Sequence, residues 1–357
     1  MSDALVIQSH RGPYSVDLAR GALRELAATP MDRCHFIIDA NVASLYRDDL
    51  AKILNHDSLL VIEATEAAKT IDRFTGYVEA LVAQSVRRDH RLVAIGGGII
   101  QDITAFLATT LLRGMRWIFY PTTLLAQADS CIGSKSSINV GAVKNILGTF
   151  CPPERIIIDP ELLRTLSEVD QRSGIGEMLK VHAIAGPRHF DEIAAVYVDL
   201  QQDFELLQQF IRRSLEFKKV LIEQDEFDAG PRNVMNYGHS FGHALEAATG
   251  FAVPHGIAVT IGMDLANYVA AGMGRVSWDH YHRMHPVLMA NSRGYRGIVI
   301  PLDYFFVSLN KDKKNIGVKL SLILPDQDNM PRQVVMEHSE EFRVLCTDYF
   351  FKVLAHV

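Results

Sequence analysis

Through about residue 158, short apolar runs rich in β-branched residues alternate with stretches whose apolar positions recur every three or four residues. "CHFIIDA", "SLLVIEA", "RLVAIGGG", "RWIFYPTT" and "ERIIIDP" predict strands. Strands alternating with amphipathic helices predict an α/β domain with a mainly parallel, Rossmann-like sheet. Turn residues in "IIDAN", "AIGGG" and "YPTT" fall beyond the carboxyl ends of strands, where ligands bind in open sheets of this kind. After Asp159 the period becomes helical, as in "ELLRTLSEVDQRSGIGEMLKVHAI", "DFELLQQFIRRSLEFKKVLIEQ" and "HGIAVTIGMDLANYVAAGM", with few strand signals before "KLSLILP". The expected organisation is a nucleotide-binding α/β domain over 1–158 and a mostly α-helical domain over 159–357. A chain of 357 residues is long enough for two cores. No Pro/Ser/Gly-rich linker divides the halves, so their junction is a default place for a small ligand.

Composition narrows the function. There are 36 basic and 42 acidic residues, a formal charge of -6, and no clustered basic run, which argues against a nucleic-acid partner. Basic residues that matter should act locally, in a pocket. Cys34, Cys131, Cys151 and Cys346 show neither zinc spacing nor a CxxC pair, so reduced thiols without disulfides are expected. The opening "MSDALVIQSHRGPYSV" lacks the pattern of a secretory signal, and no apolar run approaches the roughly 20 residues that span a bilayer. A soluble, cytoplasmic protein is the expectation.

Several constellations suggest chemistry. Gly96, Gly97 and Gly98 in "RLVAIGGGIIQD" stand between a strand and a helix expected from about Gln101. Glycines admit a pyrophosphate close to backbone amides, and a helix start favours its charge; a structural tight turn explains the same run. Asp39 and Asn41 in "IIDAN" suit either an adenosine ribose or a helix cap. "YPTTLLAQADSCIGSKSSINVGAVKNILGTF" holds Asp129, Lys135, Asn139, Lys144 and Asn145 among Ser, Thr and Gly, a composition that suits an anionic ligand or a solvated polar loop. Lys218, Lys219 and Arg232 precede "NYGHSFGHALE" and suit a carboxylate, a phosphate or a solvated face. Within that segment His239 and His243 lie four apart on one helix face, beside Gly238 and Gly242. His255 or Glu177 would complete a divalent metal site, and satisfied core histidines are the competing account.

Taken together, "GGGIIQD", "LLRGMRW", "PTTLLAQADSCIGSKSSIN", "KNILGTF", "GEMLK", "NYGHSFGHALE", "HGIAVTIGM" and "DKKNIGVKL" resemble the 3-dehydroquinate synthase family, the sugar phosphate cyclases. The likeness runs from about residue 39 to 320. It implies that Glu177, His239 and His255 hold zinc or cobalt, while His243 faces the phosphate and assists proton transfer. It implies NAD contacts from Asp39, Asn41, Glu66, Lys69, Gly97, Gly98, Thr122, Thr123 and Lys144. Substrate and catalytic positions would be Asp102, Asp129, Lys135, Asn145, Lys180, Lys218, Arg232, Asn236 and Lys313, with Arg113 supplied by the neighbouring subunit of a homodimer. Ser134, Cys131, Pro231 and Ile257 stand where the family usually has glycine, serine, another residue and glutamate.

The chemistry so implied belongs to the shikimate pathway of aromatic amino acid biosynthesis. A ring hydroxyl is oxidised transiently, phosphate is eliminated, the carbonyl is reduced back, and an aldol step closes the carbocycle without net use of NAD. Lys218, Arg232 and Lys313 match positions that read the carboxylate of 3-deoxy-arabino-heptulosonate 7-phosphate, a group that sedoheptulose 7-phosphate and glucose 6-phosphate lack. A cyclase for one of those sugars, a metal-dependent alcohol or glycerol dehydrogenase, and a binding relative without chemistry are the alternatives. The dehydrogenase would not need Lys135, Lys144, Lys218 and Arg232 together.

Overall fold

The structure is a computed structural model describing residues 4–141, 143–312, 315, 317 and 319–355. The chain forms two compact units, Met1–Ser167 with Lys218–Phe227, and Glu168–Phe217 with Asp228–Val357.

The first unit is built on seven strands in the order β1-β2-β9-β6-β5-β3-β4. These are β1 (Leu5–Ile7), β2 (Tyr14–Leu18), β3 (Cys34–Asp39), β4 (Leu59–Ile62), β5 (Arg91–Gly96), β6 (Arg116–Pro121) and β9 (Arg155–Ile158). All pairings are parallel except β1 with β2. Around them run α1 (Ala22–Ala28), α2 (Ala40–Leu45), α3 (Ala51–Leu54), α4 (Ile71–Ala83) and α5 (Gly98–Thr110). Phe36, Ile37 and Ile38 on β3, and Leu92 to Ile95 on β5, are all buried although successive residues face opposite sides. Burial on both faces is why these strands read as continuous apolar runs. Each of these side chains except that of Ala94 contributes about 1.5–3 kcal/mol, so the central strands form the anchor of the unit.

Strand order determines where a ligand fits. From β3 the chain moves to β4 on one side, then crosses to β5 on the other and continues to β6. The order therefore reverses between β3 and β5, and the crevice beyond their carboxyl ends is the usual ligand position in such sheets. Asp39 ends β3, and Gly96 to Gly98 lead from β5 into α5. That helix begins at Gly98 with Gly97 as its cap, earlier than the expected Gln101.

The polar stretch after β6 is not a loop. It forms an antiparallel hairpin, β7 (Lys135–Val140) with β8 (Val143–Phe150), and most of β8 is exposed. A strand with so little burial lacks the apolar run that would reveal it. Ser134, just before β7, has φ 66°, a left-handed conformation that glycine adopts freely. Its hydroxyl donates to Glu226 at 2.9 Å, an interaction that glycine could not make.

The second unit contains α6 (Glu168–Ala185), α7 (Pro187–Ala195), most of α8 (Phe204–Gln224), α9 (His239–Ala248), α10 (His255–Gly272), α11 (Trp278–Asn291), α12 (Leu302–Asn310) and α13 (Glu340–Asp348). A hairpin of β10 (Leu320–Pro325) and β11 (Pro331–Met336) joins them. The helical run expected from Glu161 is interrupted: Pro160–Thr165 is a separate 3-10 turn, capped by Asp159, and α6 starts afterwards. No helix among the described residues is long and apolar enough to cross a membrane.

Lys218–Phe227 was expected in the helical half but belongs to the first unit. Side-chain contacts decide this. Glu223 accepts from the Gln8 amide at 2.8 Å, Glu226 accepts from the His10 amide at 2.7 Å, and the Phe227 ring lies 5.0 Å from that of Phe150.

Candidate active site

Three helices of the second unit converge because glycines let their backbones touch. A methyl group on Gly256 would lie 1.9 Å from the Ser173 carbonyl oxygen, and one on Gly176 would lie 2.3 Å from that of Gly256. These contacts lock the start of α10 against α6. At the next crossing, a methyl on Gly262 would lie 2.1 Å from the Gly238 carbonyl oxygen, which brings in the start of α9. Each of these glycines adjoins a candidate ligand or faces a neighbour of one: Gly176 precedes Glu177, Gly238 precedes His239 and Gly256 follows His255.

The resulting cluster is compact. Glu177 Oε1 lies 3.7 Å from His239 Nε2 and 3.4 Å from His255 Nε2. Candidate ligand atoms of the three residues lie within 4.8 Å of one another. Atoms bound about 2.0–2.1 Å from a tetrahedral zinc stand about 3.3–3.4 Å apart, so one carboxylate and two imidazoles fit such an ion with little adjustment. The other Glu177 oxygen accepts from Lys180 Nζ at 2.5 Å, and both side chains are almost fully buried. Lys180 thus orients the carboxylate while its charge offsets the cost of burying it.

Behind the histidines stand further acceptors. His239 Nδ1 is 3.3 Å from the Tyr237 carbonyl, and His255 Nδ1 is 3.3 Å from Glu246 Oε2. Burial alone would lower the pKa of His255, but hydrogen bonds and charge from Glu177 and Glu246 outweigh it and raise the value to about 10. His243 is exposed, with its ring stacked 5.6 Å from that of His255, and with Glu246 and His255 it forms a second possible ligand group. Spacing on α9 did not single out Glu246; its position seven residues after His239, two turns along one face, was the available signal.

In the first unit Asp39, Asn41, Gly97, Gly98, Thr122 and Thr123 lie at the carboxyl ends of β3, β5 and β6. The cap of α5 is a glycine with no side-chain hydrogen bond, leaving the first-turn amides for a ligand anion. Gly97 is held close to Thr123, whose side chain would lie 2.9 Å from an added methyl, while Gly98 has space. Thr122 donates its amide to Gly96, and Thr123 caps the following turn by accepting from the Ala126 amide at 3.2 Å. Asp39 caps α2 by accepting from the Asn41 amide at 2.9 Å, and burial raises its pKa. A glycine turn, an uncapped helix start and an acid at the β3/β5 reversal fit a dinucleotide.

Two lysines expected to meet ligands also meet protein acids. Lys69 donates to Asp102 Oδ2 and to Asn145 Oδ1, both at 2.9 Å. Asp102 also accepts from the Ser137 amide at 2.8 Å, while burial, partly offset by Lys69, raises its pKa to about 6. Asn139 donates to Glu66 at 2.8 Å and accepts from the Asn145 amide at 2.9 Å. These bonds fasten the β7–β8 hairpin to α5 and to the turn Glu66–Lys69. Lys218 Nζ pairs with Asp129 Oδ1 at 2.5 Å and also donates to its carbonyl at 2.7 Å.

The remaining expected residues are more dispersed. Lys135 and Lys144 are exposed on the hairpin, and exposed Arg113 (φ 64°) follows Leu112 (φ 52°) in a strained turn. Arg232 is buried on the 3-10 turn Pro231–Asn236, in the second unit. Asn236, on the same turn, lines a cavity of about 120 Å³ with Asn233, Ser321, Ile323 and Gln333. Lys313 lies outside the described residues.

Comparison with known proteins follows this geometry. Family profiles described as 3-dehydroquinate synthase N-terminal and C-terminal match residues 59–173 and 174–315. The 3-dehydroquinate synthase of Dictyoglomus thermophilum is 35% identical over 303 residues, 83% of each chain. Among solved structures, 2-deoxy-scyllo-inosose synthase complexed with carbaglucose-6-phosphate, NAD+ and Co2+ superposes with TM-score 0.82 at 22% identity, covering 97% of this chain and 99% of that one. The 2-epi-5-epi-valiolone synthase of Streptomyces hygroscopicus subsp. jinggangensis 5008, with NAD+ and Zn2+ bound, gives 0.81 at 27% identity, covering 94% and 96%.

Proposed function

The chain belongs to the 3-dehydroquinate synthase family, and from that premise we propose that it converts 3-deoxy-arabino-heptulosonate 7-phosphate to 3-dehydroquinate and phosphate. The observation that carries the substrate choice is Arg232, a buried guanidinium on the turn that leads into the His239 helix. A guanidinium's planar fork suits a bidentate carboxylate, the group that separates this substrate from the other two sugar phosphates.

NAD would supply reversible hydride transfer and a divalent ion would polarise a substrate oxygen. Glu177, His239 and His255 would hold that ion, with Lys180 fixing the carboxylate. His243, exposed on the same face of α9, would accept and return the proton that moves as phosphate leaves. Asp39, Asn41, Gly97, Gly98, Thr122 and Thr123 would hold the dinucleotide, joined by Glu66, Lys69 and Lys144. Lys135 and Asn145 would meet substrate, as would Asp102, Asp129, Lys218, Asn236 and Lys313. Asp102 and Asp129 would also set the positions of Lys69 and Lys218, to which they are paired.

The enzyme would work in the cytoplasm as a homodimer. In support, Val143, Ile146 and Leu147 on β8 and Leu112 beside Arg113 expose apolar surface that a second copy would cover. Free thiols at Cys34, Cys131, Cys151 and Cys346 suit a reducing compartment. A second reading, a cyclase for another sugar phosphate, draws on the likeness to the inosose and valiolone synthases.

The test is direct. Purified protein with NAD and zinc or cobalt is offered the heptulosonate phosphate, sedoheptulose 7-phosphate and glucose 6-phosphate separately, and phosphate and carbocyclic product are measured. Turnover of the first alone is expected. Turnover of sedoheptulose 7-phosphate alone would select the second reading, and steady NADH accumulation from a simple alcohol would overturn both.

A further inference from the structure

We propose that Glu246 is a positioning residue for the metal site, bracing His255 through its Nδ1 so that Nε2 is presented to the ion. The inference rests on the reading of Glu177, His239 and His255 as the ligand set. The two imidazoles of that set are supported unequally. His239, with a side chain 14% exposed, has a neutral backbone carbonyl behind it, whereas His255, 37% exposed, has a carboxylate. His255 is also the first residue of α10, whose cap makes no side-chain hydrogen bond. The more exposed ring of the two is thus the one with a carboxylate at its Nδ1.

The acceptor fixes ring chemistry. A carboxylate at Nδ1 requires the proton there, which leaves the Nε2 lone pair for the ion, and it increases the basicity of the ring. Glu246 sits two turns beyond His239, so α9 supplies one ligand directly and braces another that α10 supplies. The same residues raise a competing possibility, a second ion held by His243, Glu246 and His255. The two roles exclude each other, because Nδ1 cannot both donate to Glu246 and bind an ion.

The test uses the full-length protein and cobalt alone. Wild type, Glu246→Gln, Glu246→Asp and His239→Ala are stripped of metal and titrated with Co2+ against a chelator, following the visible spectrum and the number of ions per chain. We expect one ion in wild type, affinity weaker by about 10–100-fold in Glu246→Gln with a shifted spectrum, and partial recovery in Glu246→Asp. In zinc-loaded, 15N-histidine-labelled protein the His255 Nδ1–H signal should be present in wild type and shifted in Glu246→Gln. Thermal unfolding of the stripped Glu246→Gln protein checks that the variant still folds cooperatively.

Unchanged affinity and spectrum in Glu246→Gln would overturn the proposal. So would two ions in wild type with one lost in the variant, which would make Glu246 a ligand. If His239→Ala binds cobalt as wild type does, the ligand reading itself fails and takes this inference with it. That result is distinct because it appears in the His239 variant, whatever Glu246 does.

Discussion

Both units hold carboxylates wholly or partly out of water, but in different ways. In the second unit Glu177 sits on α6 where backbones meet through Gly176 and Gly256, and one of its oxygens is directed at two imidazoles. In the first unit Asp102 and Asp129 are neutralised by Lys69 and Lys218, which reach them from a short turn and from the end of α8. The second arrangement is placed by main chain and the first by side chains. A site placed by main chain should break at its glycines, whereas one placed by side chains should weaken in steps as each partner is removed.

The largest effect expected is at Gly256. In Gly256→Val the new side chain meets the Ser173 carbonyl, and α10 must move from α6; we expect a loss of about 3 kcal/mol or more in denaturant unfolding, together with cobalt binding. Wild-type stability would show that the helices are not locked at this point.

Next come the histidines of α9. His239→Ala should lose metal by elemental analysis after dialysis, whereas His243→Ala should keep it and lower kcat. Equal metal loss would move the division between ligand and proton carrier.

Arg232→Ala tests the substrate reading. A fall in kcat/KM equivalent to about 2 kcal/mol is expected with the carboxylated sugar phosphate, the scale of a charge-assisted contact. No change would mean that no carboxylate is read there.

The smallest effect is expected at Lys69→Met, about 1–2 kcal/mol, because a carboxylate left without its lysine can take up a proton instead of remaining a buried charge. Its pH dependence follows from Asp102. The folded pKa, about 6, exceeds the ordinary aspartate value of 3.8, so the native state binds the proton more tightly and this group's contribution falls as pH rises through that interval. Without Lys69 the folded pKa rises further and the loss continues to higher pH. The variant should thus be closer to wild type at pH 5 than at pH 8 in denaturant midpoints.

Strands β3, β4, β5, β6 and β9 were legible because the residues that build them are apolar at nearly every position. β8 was not, since Val143 to Gly148 are exposed and carry no burial pattern. The reactive residue types were also legible, and the choice left open by spacing between Glu177 and His255 ends with both beside His239. Pairing was not legible. Asp129 and Lys218 are 89 residues apart, and nothing local at either position announces the other. Glu246 was missed because its work is to face another side chain, and a helix offers many acidic positions that face only water.

The return of Lys218–Phe227 to the first unit has a consequence for synthesis. The chain passes between units at 167/168, at 217/218 and at 227/228, so neither unit is one continuous segment. As the chain emerges from the ribosome, the sheet can assemble long before Lys218 exists, and until then the Lys218–Asp129 pair cannot form and Glu226 cannot tie down His10 and Ser134. Much of the helical unit must therefore be made before the nucleotide unit can close. A gene cut after Ser167 should yield a sheet without the Lys218 that pairs with Asp129, while a cut after Phe227 would supply that lysine but carry an unfinished helical half.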